Sequence, residues 1–170
     1  MLRAACPDSG VTAFLHPGFH LIAYPIRAGA ETNLVAFTRS KRDLAKGWAS
    51  AADIRPLRDA LSGTAPALSS LADGAWTAWP IHVADIDGAW IDPKGMALIG
   101  DAAHAMTPFA AQGAAMAIED AESLAEAVAS GDDLGQALTN WSAVRHRRVS
   151  QVARRGALNQ FTWHAAGPVA

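Results

Sequence analysis

The stretch from Gly95 to Ala127, GMALIGDAAHAMTPFAAQGAAMAIEDAESLAEA, constrains the fold more than any other. Met96-Ala97-Leu98-Ile99 is a short, fully apolar run that ends at Gly100. Such a run suits a strand buried on both faces of a sheet. Asp101 follows at its carboxyl end, where open α/β sheets bind ligands. A loop of small residues with Pro108 leads to Gln112-Gly113, and residues 113–129 then have helical periodicity. Ala114, Ile118, Ala121, Leu124, Ala125 and Val128 fall on one face, while Glu119, Asp120, Glu122 and Glu126 lie mostly on the other. The free N–H groups and the dipole of that helix start favour an anion or a partial negative charge. An acid for ligand hydroxyls and a helix N-terminus for ligand carbonyls thus stand about ten residues apart, with room for a bulky planar ligand. Gly113 and Ala114 let backbone approach such a ligand closely. The residues alone leave a second reading open, in which Asp101 caps a turn and the glycines fit tight bends.

The glycines exclude the commonest phosphate cradles. None of the fourteen is separated from another by a single residue, so G-x-G occurs nowhere. The dinucleotide fingerprint is therefore absent, and the Walker A loop is absent too, since no glycine is followed by lysine. With 170 residues, 51% hydrophobic and 18% charged, the chain can build a packed core of about one domain. A net charge of −2 offers no field for nucleic acid. The basic run from Arg145 to Arg155 reads as a solvated or acid-paired helix face. The single cysteine, Cys6, allows no disulfide framework and no Cys-based zinc site, and fits a reducing, cytoplasmic setting. No apolar stretch approaches the roughly 20 residues of a membrane helix, and the N-terminus has no signal-like core.

Elsewhere, residues 11–38 read as strands, with Phe19–Ile26 and Thr32–Thr38 joined as a hairpin by residues 27–31. Pro25 places its strand at an edge or at its own end. A helix is expected from Ser40 through Trp48 to Ala51, and Pro56 and Pro66 suit the first turns of two short helices. Residues 75–84 read as a strand interrupted by Pro80, and Asp87-Gly88 as a turn. A long basic helix is expected from Leu134 to Trp163, carrying Leu138, Trp141, Val144, Val152 and Phe161. The D-x-x-H spacing of Asp101 and His104 lacks a third metal ligand nearby, so His104 is read as bonding loop backbone. His16 and His20 are separated by Pro17-Gly18, which breaks any helix that could align them. Trp76, Trp79 and Trp90 read as packed core or interface, and no serine sits in a G-x-S-x-G elbow.

ALIGDAAHAMTPFAAQGAAMAIEDA closely resembles the second flavin motif of the FAD-dependent aromatic hydroxylases, the family of salicylate and p-hydroxybenzoate hydroxylases. FHLIAYPIR is similar to a strand of that family's substrate domain, and the R-x-x-R-V region to its long closing helix. The resemblance is specific over residues 95–128. It implies a mixed α/β (α+β) chain, a partial p-hydroxybenzoate-hydroxylase-like fold without the N-terminal Rossmann βαβ unit. It divides the chain into residues 1–90, part of a substrate domain, residues 91–130, the flavin motif, and residues 131–170, the closing helix. It implies FAD as cofactor, NAD(P)H as co-substrate and hydroxylation of an aromatic substrate by oxygen. Asp101, next to Gly100, would bond the ribityl chain. Pro108 would sit beside the flavin ring. Gly113, Ala114 and Ala115 would offer backbone groups to its pyrimidine end, and Gln112 would line its edge. The family's opening G-x-G-x-x-G and its central Asp-Gly motif have no counterpart here. The chain is therefore expected to be a C-terminal portion that meets a separate N-terminal half or self-associates. The alternative is a non-catalytic remnant or interaction module unable to bind FAD alone.

Overall fold

The computed structural model describes residues 6, 10–38, 50–51, 53–131 and 133–166. Two units share the chain, residues 81–160 forming one and the remainder the other.

The first unit is built on a three-stranded antiparallel sheet in the order β1 (Thr12–His16), β2 (Phe19–Ile26), β3 (Glu31–Thr38). The β2–β3 connection is a tight turn in which Arg27, Ala28 and Gly29 all take positive φ. β2 is the central strand, yet Pro25 stands one residue before its end, where the strand behaves as an edge. The reason is local: β1 pairs with β2 only as far as Ala23, so beyond it β2 is bonded on the β3 side alone. Proline's missing N–H then costs no ladder bond on the open side. Phe19 and Leu21 on β2 pack against Leu57 and Leu61 of α1 (Arg55–Leu61) and against Ala72. Pro56 lies in the first turn of α1, and Pro66 opens α2 (Pro66–Ser69), where an absent N–H is tolerated. The helix expected from Ser40 lies outside the described residues except at Ser50–Ala51. Those two form a strand, β4, paired with β5 (Thr77–Ala78). The strand expected over residues 75–84 is thus shortened to two residues, since Pro80 cannot continue the ladder.

The second unit opens with Asp87-Gly88 in a turn closed by Gly88 N–H to Asp85 O at 3.1 Å. A small hairpin follows, β6 (Ile91–Asp92) with β7 (Met96–Ala97). Its turn is held by Lys94 N–H to the Asp92 carboxylate at 2.9 Å and by Gly95 at φ 116°. The run Met96–Ile99 is therefore an antiparallel edge, not a strand buried on both faces: Met96 is 58% and Ile99 38% exposed. Beyond it come α3 (Asp101–His104), a 3-10 turn at Pro108–Ala110, α4 (Gly113–Ala129) and α5 (Leu134–Trp163). The bounds of α4 and α5 are those expected from periodicity. Trp90, Ala103, Met116, Val149 and Val152 form the core of this unit. Leu138 and Trp141 of α5 are buried as expected, but Val144 and Phe161 are exposed.

On α4 the buried face is not the apolar one. Its apolar stripe, including Ala114, Ile118, Ala121, Ala125 and Val128, faces outward, with Ile118 70% exposed. The buried residues are Met116 and Asp120, and the half-buried ones include Ser123 and Leu124. Polar contacts from α5 select that face, as described below.

Candidate functional site

Backbone constraint at Gly100 begins the site. Gly100 is buried at φ 58°, ψ −142°, a conformation nearly restricted to glycine. A Cβ there would stand 3.1 Å from the Ala117 Cβ of α4. Its carbonyl accepts from Ala103 N–H at 3.0 Å and His104 N–H at 2.9 Å, closing the single turn of α3. Asp101 is the first residue of that turn and is exposed.

The loop after α3 passes through exposed Pro108, and Asn159 donates to the Phe109 carbonyl at 2.9 Å. Ala111 turns the chain at φ 52°, and Gln112 precedes α4 without a side-chain cap. The first α-helical bond is Met116 N–H to Gln112 O at 2.9 Å. The N–H groups of Gly113, Ala114 and Ala115 thus have no carbonyl to bond within the helix. Ala114 and Ala115 are exposed, Gln112 and Gly113 are half-buried, and the space beside the Gly113 Cα is open. An uncapped helix start of glycine and alanine is suited to accept partial negative charge from outside. A separate open apolar cavity of about 190 Å³ lies under the same loop, lined by residues including Val83, Ile86, Met106, Thr107 and Val152. None of the expected site residues lines it.

Behind the turn lies a buried ionic network that periodicity did not reveal. Asp120, 1% exposed, accepts Gly100 N–H at 2.8 Å and His104 Nε2–H at 2.5 Å on Oδ2, and Arg145 Nε–H at 2.7 Å on Oδ1. His104 therefore bonds a carboxylate on α4 and not loop backbone through its ring, which corrects the expectation. Arg145 also donates to Glu119 at 3.0 Å and to the Met116 carbonyl at 3.3 Å, and Arg148 donates twice more to Glu119. Burial alone would raise the Asp120 pKa, but the bonds from Gly100, His104 and Arg145 outweigh it and lower it. Glu119 is held down at about 2, chiefly by the Arg148 hydrogen bond. Two members of the basic run are thus acid-paired, while Arg147, Arg154 and Arg155 are exposed. Among the described residues no group of three or more His, Cys, Asp or Glu is placed to hold a metal ion. No described helix is long and apolar enough to cross a membrane.

In the first unit His20 is buried, stacks on Phe37 at 4.2 Å, and lies 3.1 Å from His164 Nε2 through its Nδ1. Burial first, and His164 second, lower its pKa to about 4. Trp76 and Trp90 pack in the two cores, whereas Trp79 is 61% exposed.

Known proteins resemble this chain in sequence and in fold. The family described as FAD binding domain matches residues 89–156. A 3-amino-4-hydroxybenzoate 2-monooxygenase of Streptomyces platensis is 32% identical over 157 residues, covering 91% of this chain and 39% of that enzyme. A salicylate hydroxylase of Pseudomonas putida is 31% identical over 146 residues, covering 78% of this chain and 33% of the enzyme. In fold, a salicylate hydroxylase substrate complex superposes with a TM-score of 0.76 at 25% identity, over 94% of this chain and 42% of the other. The chain thus spans about two fifths of the length of such relatives. By its matched segment, its sequence similarity and its mixed α+β fold, the chain is a relative of the FAD-dependent aromatic hydroxylases.

Proposed function

We propose that Gly100, Asp101, Pro108, Gln112, Gly113, Ala114 and Ala115 form the isoalloxazine and ribityl side of an FAD site. The site would belong to a flavin monooxygenase that uses NAD(P)H and oxygen to hydroxylate an aromatic compound. The observation that carries this reading is the pairing of an exposed carboxylate on a fixed turn with an uncapped helix start of minimal side chains. The relatives' activities on hydroxylated benzoates and salicylate support the substrate class. When bound, the flavin supplies the redox chemistry, and this chain supplies position and electrostatics. Asp101 would accept hydrogen bonds from ribityl hydroxyls. The N–H groups of Gly113, Ala114 and Ala115 would donate to the pyrimidine oxygen and stabilise negative charge gathered there on reduction. Pro108, with no N–H and a rigid ring, would shape the wall beside the ring system without competing for hydrogen bonds.

Titration of FAD with the 170-residue chain, read by flavin absorbance and fluorescence, tests the reading. Saturable binding is expected, and Asp101→Ala should weaken it by about tenfold, the worth of one charge-assisted hydrogen bond. Absence of binding, or equal affinity in Asp101→Ala, would refute the assignment.

A further inference from the structure

We propose that Asp120, His104 and Arg145 form a positioning device that aims the Asp101 carboxylate at its ligand. The inference rests on the flavin reading above and deepens it. α3 is one turn of four residues, too short to hold itself by cooperativity, and no side chain caps it. Its two ends are instead fastened to one atom. Asp120 Oδ2 accepts the N–H of Gly100 just before the turn and the Nε2–H of His104 at its close. Asp101 lies between those two anchors, so the direction of its side chain follows from where Asp120 stands. Asp120 in turn cannot rotate, because Arg145 Nε–H occupies Oδ1 and the other guanidinium donors reach Glu119 and the Met116 carbonyl. His104 and Asp120 are each 1% exposed and Arg145 5%, while Asp101 is exposed. The three buried residues therefore cannot touch a ligand at the surface and act on it only through Asp101. A buried ion pair is a weak device for stability alone, since desolvation offsets much of its attraction. Its geometric consequence here is a single orientation for one turn.

Two probes separate positioning from plain structural support. Riboflavin carries a ribityl chain, and lumiflavin has the same ring system without it. The 170-residue chain and its H104A, H104Q, D101A and D101A/H104A variants are titrated with each probe, read by fluorescence, with circular dichroism confirming the fold. The chain should bind riboflavin more tightly than lumiflavin. H104A should lose about tenfold in riboflavin affinity with lumiflavin affinity unchanged. H104Q, which retains an N–H donor, should recover part of the loss, and it carries the test if H104A does not fold. In the D101A background, H104A should add nothing. Equal loss for both probes, or a full additional loss in the D101A background, would make the network merely structural and overturn the inference. A preference for riboflavin that H104A and H104Q leave untouched would overturn it while sparing the flavin reading. No preference in the parent chain would remove the flavin reading and this inference together.

Discussion

At the scale of single residues, the site depends on positions with no chemistry of their own. Gly100 combines a positive φ with a Cβ position 3.1 Å from Ala117. Gly100→Ala should therefore destabilise the second unit by about 1–3 kcal/mol, the cost of forcing a side chain into such a conformation. Urea unfolding followed by tryptophan fluorescence would show it as a lowered midpoint, and an unchanged midpoint would contradict the strained turn. Asp101 was legible in the sequence because its place after an apolar run and a glycine is a local signal. Asp120 was not. It sits among Glu119, Glu122 and Glu126, and helical spacing alone cannot tell which of four acids is buried. That choice is made by Arg145, 25 residues away, through a 2.7 Å bond. The available signal was Met116 four residues before Asp120, with arginines at matching spacing on the next helix.

At the scale of elements, α4 and α5 were readable to their ends, because long periodic segments carry the strongest pattern. The shortest elements were not. β7 is held by two residue pairs and β5 by two, too few for a propensity signal to define. The outward orientation of the apolar stripe of α4 has a physical reason. Hydrophobic spacing selects the stripe containing Ile118 and Val128, but the Arg145 and Arg148 contacts fasten the opposite side of the helix. The outward stripe leads to a prediction. Ile118→Glu should change the unfolding free energy of the chain by less than about 0.5 kcal/mol, as for an exposed surface site. An Ile118 packed in the core would instead require a loss of several times that amount. Thermal melts of the two proteins decide between them.

At the scale of the whole molecule, the two units should respond to acid in different ranges. His20 has a folded pKa of about 4 against an ordinary 6.5, so the unfolded state binds the extra proton between those values. Its contribution is full above pH 6.5 and declines as pH falls towards 4. Asp120 and Glu119 have lowered pKa values, so their contribution is present above the ordinary carboxylate range and is lost as pH falls through the folded values. Hydrogen exchange on the whole chain should show protection in β2 falling between pH 6.5 and 4, with protection in α4 persisting to lower pH. The reverse order would contradict the assignment of buried neutral His20 and ionised Asp120.

The central claim is a location: that flavin lies against the start of α4 and the turn of Asp101. Mapping amide chemical shifts of the isotope-labelled chain during a riboflavin titration tests it most directly. The account predicts the largest perturbations at Gly113, Ala114, Ala115 and around Asp101. Perturbations centred on the cavity lined by Val83, Met106 and Val152, or absent from the start of α4, would contradict it.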